Sequence, residues 1–176
     1  MNNRDLPDGF RMTKLGPLPE EWEVVRLGDV ISQRREFITV EDEHRYIRPR
    51  VQVRGEGIVI RDVIIGSALK IKRQQVCRAD EFLVAEIDAK VGGFGVVPEE
   101  LDGAIVSSHY FLFTIQKEKL DSKFLGYFVQ LPYFMKQVEA RGSTNYASIR
   151  PIHVLGYQIP LPPLPEQRAI AQVLRT

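Results

Sequence analysis

The hydrophobic pattern divides this 176-residue chain into a strand-rich first part and a helical last part. From Trp22 to Ile115, short apolar or alternating runs are separated by glycine-containing turns, as is typical of strands in a sheet. Asp121 or Ser122 then caps a helix, and Pro132 starts another. The pattern predicts an α+β fold with a mixed, mostly antiparallel sheet and a few packed helices.

Glycine turns define the expected sheet. Residues 55–57 separate two strand-like runs, and residues 92–95 separate two more, so each turn predicts a hairpin. Residues 110–115 form an apolar run that fits a central strand. Residues 1–19 are polar and contain several prolines and glycines, and we expect an arm with little regular structure there.

A proline-rich run, Ile159-Pro160-Leu161-Pro162-Pro163-Leu164-Pro165, forms a rigid strut ahead of the final helix. Each proline fixes φ and disfavours helix in the residue before it, so the helix is expected to begin at Pro165. We expect this C-terminal helix to project from the domain with an apolar stripe that needs a partner for burial. The predicted partner-binding residues are Gln167, Ile170, Ala171 and Leu174.

The distribution of charge adds a functional indication that the net charge of +1 does not give. Residues 34–78 contain 11 Lys or Arg against 6 Asp or Glu, residues 79–121 contain 3 against 9, and residues 122–176 contain 6 against 2. A fold that brings the first and last blocks together makes one basic face, which suits a polyanion.

The proline run and its continuation to Leu174 resemble the segment that closes a target recognition domain in type I restriction-modification specificity subunits. Two further motifs are similar to the same family. One is Trp22 followed by Leu27-Gly28-Asp29-Val30, with Trp22 itself expected in the core. The other runs from Asp80-Glu81-Phe82-Leu83 to Gly92-Gly93-Phe94-Gly95 and Ser107-Ser108. The resemblance covers most of the chain.

The resemblance implies sequence-specific recognition of double-stranded DNA, at one half of a bipartite site, without catalysis or a cofactor. Its implied partners are methyltransferase subunits and, through them, restriction subunits. The implied organisation is an arm over 1–20, a recognition domain over 21–158, and the strut with the start of a spacer helix over 159–176. Family members usually carry two recognition domains, so a longer natural protein and a half-length homodimer both stay open.

Candidate DNA contacts fall in four segments of the chain. Arg, Lys and Gln suit phosphates and purine edges, although a solvated strand face explains the polar residues near position 72 equally well. The glycine-containing loop after residue 141 offers hydroxyl and amide groups to a phosphate, which positions DNA without reading its sequence. The candidates are Arg45, Arg48, Arg50, Lys70, Lys72, Arg73, Gln74, Gln75, Ser107, Ser108, His109, Tyr110, Arg141, Ser143, Thr144 and Asn145.

Two alternatives come from other classes of protein. Glu86, Asp88 and Lys90 would share one face of a strand, an arrangement by which nucleases hold Mg²⁺. The proline run also fits a protein-interaction adaptor. The single cysteine and three scattered histidines favour no metal site. With no signal-peptide pattern and no apolar run of about 18 residues, we expect a cytoplasmic protein without a membrane span.

Overall fold

The computed structural model describes residues 5–141 and 149–175. Within these ranges the chain forms thirteen strands and four α-helices. The strands are β1 (Phe10–Thr13), β2 (Gly16–Pro19), β3 (Glu23–Arg26), β4 (Ile31–Arg34), β5 (Phe37–Thr39), β6 (Arg45–Val51), β7 (Ile58–Ile65), β8 (Arg73–Val76), β9 (Phe82–Ala85), β10 (Phe94–Val96), β11 (Ile105–Val106), β12 (Tyr110–Ile115) and β13 (Gln158–Leu161). The helices are α1 (Ser122–Phe128), α2 (Pro132–Arg141), α3 (Pro151–Gly156) and α4 (Leu164–Leu174).

Every strand pair within the described ranges is antiparallel. A four-stranded sheet has the order β10-β9-β12-β4, and a three-stranded sheet has the order β11-β8-β5. Three two-stranded sheets pair β1 with β2, β6 with β7, and β3 with β13. The α+β prediction is confirmed, as are both glycine-turn hairpins and the interior position of residues 110–115.

The four-stranded sheet separates two apolar cores. Alternation along β9 and β12 sends Phe82 and Phe113 to one core and Leu83 and Leu112 to the other. The first core includes side chains of α1 and α2, where Asp121 caps α1 by accepting from the backbone N–H of Phe124 at 3.0 Å. The second core packs against the β6–β7 hairpin, which forms one wall of the groove described below.

The start of the chain is more regular than its composition predicts. Residues 10–19 form a hairpin rather than an irregular arm, and Leu15 at its turn is 2% exposed in the first core. Gly16 has a φ of +88°, and a Cβ there would lie 2.8 Å from the ring of Tyr133. The turn therefore needs glycine both for its backbone and for its contact with α2.

The strut is part of the folded domain. β13 pairs with β3, placing Pro160 opposite Val24, so the expected boundary at residue 158 falls inside a strand. An outer strand tolerates proline because the missing N–H faces away from the pairing strand. The following helix begins at Leu164, one residue before the predicted start. The sequence pattern did not predict α3, which spans only six residues.

Trp22 lies half-buried at the end of this strut instead of in a core. Its indole Nε1 donates to Oε2 of Glu166 in the first turn of α4, at 3.0 Å. The core prediction for Trp22 was wrong because an indole with a polar partner at the surface need not be fully enclosed.

Candidate nucleic-acid interface

A groove of about 330 Å³ lies between the β6–β7 hairpin, the segment leading into β8, and the β11–β12 connection. Its lining joins residues from three separate segments that the sequence analysis selected. Those residues are Arg48, Lys70, Gln74, Ser107 and Tyr110. The fold therefore brings together side chains up to 62 positions apart in the chain, between Arg48 and Tyr110.

Arg48 is held in the groove wall by its cross-strand partner, Asp62. Its Nε lies 2.8 Å from Oδ1 and its Nη2 lies 2.6 Å from Oδ2, a bidentate pair. The hydrogen bond from Arg48 holds the pKa of Asp62 below its usual range and raises the pKa of the guanidinium. Arg48 therefore has a fixed orientation, with part of its donor capacity already used.

Arg61 lines the same groove but was missed by sequence reasoning. The pairing register shifts between Arg48 and Pro49, which leaves Arg61 as the extra residue of a β-bulge. Its side chain is 53% exposed, and its Nε lies 3.8 Å from Oδ2 of Asp62. Alternation cannot assign the direction of a bulged residue, so no periodic signal pointed to Arg61.

Arg45, Arg50 and Lys70 are exposed cations around the groove and hairpin. Across residues 5–141 and 149–175, no ion pair engages any of the three. Their charge is therefore available to an external anion.

Lys72 and Arg73 are predicted contacts with partners inside the protein. Nζ of Lys72 lies 2.7 Å from Oδ1 of Asp42 and donates to the carbonyl of Gly66 at 2.7 Å. The guanidinium carbon of Arg73 lies 3.9 Å from the ring centroid of Phe37. Both side chains are less free than the alternation along this segment indicated.

Gln74 and Gln75 require a correction, because they are 7% and 4% exposed. Nε2 of Gln75 donates to the carbonyls of Ser107 and Tyr110, at 2.9 and 2.7 Å. Nε2 of Gln74 donates to the carbonyl of Ile71 at 2.9 Å. Since these amides are engaged with the backbone, Gln75 cannot read a base edge in this geometry, and Gln74 supports the groove lining.

The segment from Ser107 to Tyr110 presents polar groups beside the groove. Ser107 is half-buried, and its Oγ accepts from the backbone N–H of His109 at 3.3 Å. Ser108 and His109 are exposed, and Nδ1 of His109 lies 2.9 Å from Oε2 of Glu86. The backbone of this segment is fixed by Gln75, so its side chains are presented from a rigid support.

The nuclease alternative is not supported. β9 ends at Ala85, and residues 86–88 form a turn, so Glu86, Asp88 and Lys90 do not share a strand face. Glu86 is paired with His109 instead. In the part of the chain that the structure describes, no group of three or more His, Cys, Asp or Glu side chains could hold a metal ion.

The proline adaptor is also not supported, because Pro160 and Pro162 are buried in the domain. Pro160 pairs with β3, so this face of the run is not offered to a proline-binding domain. Among the described helices, none is long and apolar enough to cross a membrane.

The predicted partner stripe of α4 faces the domain itself. Gln167 is 0% exposed: its Oε1 accepts from the N–H of Asp121, and its Nε2 donates to the carbonyls of Lys119 and Pro162. Ala171 is 4% exposed, and the half-buried Ile170 packs against the first core. A partner role for Gln167 and Ala171 was therefore wrong, whereas Leu174 is 53% exposed.

The fourth group of candidates lies outside the described residues. Arg141 ends α2, but its side chain is outside the description, as are Ser143, Thr144 and Asn145.

Comparisons with known proteins agree on one family. The chain is 27% identical, over 177 residues, to the type I restriction enzyme MjaVIII specificity subunit of Methanocaldococcus jannaschii, covering 95% of this chain and 42% of that protein. Its fold matches the HsdS subunit from Thermoanaerobacter tengcongensis with a TM-score of 0.73 at 24% identity, over 90% of this chain and 42% of that one. A structure concerned with complex assembly and conformational transition of the type I R-M system gives the same TM-score and coverage at 25% identity.

The chain thus spans less than half the length of these relatives. The model of the type I restriction modification DNA specificity domain matches residues 19–176, nearly the whole chain. The resemblance seen in the sequence is confirmed, and the chain belongs to the type I restriction modification DNA specificity domain family.

Proposed function

We propose that this chain is a target recognition domain that binds double-stranded DNA and reads one half of a bipartite site. The observation that carries the proposal is the groove beside the β6–β7 hairpin, where cations and polar groups from three segments converge. Membership in a DNA specificity domain family supports the same function.

The residues in and around the groove fall into two groups, one suited to contacts with phosphates and one suited to contacts with base edges. Arg45, Arg50 and Lys70 have no ion pair within the described ranges and are suited to phosphate oxygens. Such contacts fix the register of the duplex without reading its sequence. Arg61 and the polar groups of Ser107 and Tyr110 line the groove, and in this proposal they contact base edges.

The partners follow from the family and from the exposed end of α4. We infer that methyltransferase subunits, and restriction subunits through them, supply the chemistry, while this chain catalyses nothing itself and acts in the cytoplasm. Leu174 is 53% exposed and is available to such a subunit. A second recognition domain, in a longer protein or in a homodimer, would read the other half-site.

We also propose separate roles for the recognition domain and for the C-terminal segment that follows it. Residues 21–158 would bind DNA, with the residue 10–19 hairpin and β13 packed onto them as parts of the same fold, and α4 would lead into the spacer helix. The β13–β3 pairing and the buried Gln167 support a fixed direction for that helix, because both attach it to the recognition domain.

The test begins with selection of preferred duplexes from a random library, followed by titration of a selected and a scrambled duplex at several salt concentrations. We expect the selected duplex to bind more tightly. An Arg50→Ala/Lys70→Ala variant should weaken both complexes and lower the salt slope by about two units, because each phosphate contact releases counterions. Absence of duplex binding, or equal affinity for the two duplexes, would contradict the proposal.

A matched control removes the same charge elsewhere. Lys119 and Lys136 are exposed and do not line the groove. A Lys119→Ala/Lys136→Ala variant should retain the wild-type salt slope. If it lowers the slope as much as the groove variant does, the DNA contacts lie on another face.

A further inference from the structure

One apolar side chain lines the groove and is exposed instead of packing in a core. Ile71 is 67% exposed and belongs to neither apolar core of the described chain. It lies between two lysines in sequence and lines the groove together with Leu69 and Ile105. An exposed isoleucine in a groove that is also lined by cations indicates a ligand that is anionic overall but carries an apolar group.

The walls of the groove restrict that ligand further. Arg61 comes from the hairpin and Lys70 from the segment before β8, so two different elements add positive charge to a groove that also has an apolar lining. A polyanion that carries an apolar group close to its charges complements this lining. Duplex DNA has this form in its major groove, where phosphates border base edges and the C5-methyl of thymine is the apolar group on those edges.

We propose that Ile71 is a specificity-determining residue that contacts the C5-methyl group of a thymine, with Leu69 and Ile105 completing the apolar surface. This inference rests on the proposed DNA-binding function and adds a base preference to it. It requires no movement of the fold, because Ile71 is already exposed. Gln74, which donates to the carbonyl of Ile71, holds the backbone at this position.

The experiment compares thymine with uracil, which lacks only the methyl group. Each thymine of a selected duplex is replaced singly by uracil, and the affinity of the full chain is measured at fixed salt. For the wild type, replacement at one or two positions should weaken binding about three- to fivefold, the effect of leaving one methyl group unburied. Ile71→Ala should bind the thymine and uracil duplexes equally at those positions.

Ile152→Ala is the matched control, because Ile152 is 72% exposed on α3 and does not line the groove. This variant should keep the wild-type discrimination. If wild type does not discriminate, or if Ile71→Ala keeps the discrimination, the inference is overturned while the sequence preference for the selected duplex still supports the proposed function.

Two other outcomes are decisive. If no duplex binds, both the inference and the proposed function are overturned. A poly-glutamate peptide is the probe for an acidic protein partner. If that peptide binds more tightly than the selected duplex and loses affinity on Ile71→Ala, the groove is a protein-binding site and the thymine contact is wrong.

Discussion

Two groups of charged residues from the same basic block have opposite environments. Around Arg34, the charges are paired with one another: its Nε lies 2.5 Å from Oε2 of Glu81, and its Nη1 lies 2.6 Å from Oε2 of Glu36. Around the groove, Lys70 has no ion pair in the described chain, and Arg61 has only a distant one at 3.8 Å. The first group stabilises the protein, whereas Lys70 and Arg61 in the groove are available to a ligand, unlike the paired Arg48 beside them.

The difference shows that local charge density does not identify a binding site. Arg34 also donates to the carbonyl of Val76 at 2.5 Å, so it links β4 to β8 as well as to the residue before β9. The geometry that distinguishes its cluster from the groove comes from strand pairing between distant segments. The net charge over residues 34–78 adds together the cations of both groups and leaves out Glu81, so it cannot separate paired from unpaired charges.

The largest expected effect is a loss of stability when the ion-pair cluster around Arg34 is broken. Glu81 is 4% exposed and accepts from Arg34 and from the N–H of Arg78, so Glu81→Gln leaves the guanidinium of Arg34 with an incomplete partner. We expect the free energy of unfolding to fall by about 3 kcal/mol, the lower end of the range for breaking a buried ion pair, because Arg34 is partly exposed and keeps Glu36 as a partner. Urea denaturation measures it, with the exposed Glu118→Gln as control. Equal stability of the two variants would show that the cluster is not a structural link.

The next largest effect is a loss of stability when the hydrogen bonds that attach α4 to the domain are removed. Gln167→Ala would leave the N–H of Asp121 and the carbonyls of Lys119 and Pro162 without their partner. Unsatisfied buried groups destabilise by about 1–3 kcal/mol each. Because Asp121 and Lys119 are not fully buried and water can replace part of their lost bonds, we expect a total of about 2–3 kcal/mol. Gln172→Ala, exposed on the same helix, should change stability little. Equal unfolding midpoints would mean that Gln167 does not fix the helix.

Gln167 also shows where sequence reasoning ends. The helical spacing of Gln167, Ile170 and Ala171 correctly indicated one buried face, but periodicity does not reveal which surface covers that face. Here α1 and the strut cover it. The proline run gave no sign that it would form an outer strand on β3, because that pairing joins residues more than 130 positions apart.

Local signals were reliable where the chemistry is local. The glycine turns predicted their hairpins, Asp121 capped α1, and Pro132 began α2. At the groove, the sequence identified five lining residues but misassigned Gln75 and missed Arg61. A strand glutamine has the same pattern whether it meets DNA or a neighbouring backbone, and a bulge interrupts the alternation from which side-chain direction is inferred.

A smaller effect on DNA binding should distinguish Lys70, which has no ion pair among the described residues, from Lys72, which is paired with Asp42. Lys70→Ala should weaken binding to any duplex severalfold and lower the salt slope by about one unit, because a free lysine releases one counterion on contact with phosphate. Lys72→Ala should change the slope less, because Lys72 is already paired with Asp42. Titration at several salt concentrations measures both slopes. If Lys72→Ala gives the larger change, the pairing with Asp42 does not persist in the complex.

The smallest expected effect concerns acid stability and involves one carboxylate from each group. The hydrogen bond from Arg78 lowers the pKa of Glu36, and the hydrogen bond from Arg48 lowers that of Asp62. A carboxylate whose pKa is lower in the folded state stabilises the protein above its unfolded pKa. That contribution is lost as pH falls from the ordinary values of 4.5 and 3.8 through the lower folded values.

Because both side chains are partly exposed, solvent screens these interactions, and we expect a modest decrease in the free energy of unfolding below about pH 5. Urea denaturation between pH 7 and pH 3 measures it. A Glu36→Gln/Asp62→Asn variant should show a flatter pH dependence than wild type, whereas Glu118→Gln/Asp8→Asn, at two exposed carboxylates, should follow wild type. If both variants follow wild type, the paired arginines do not contribute to acid stability in either region.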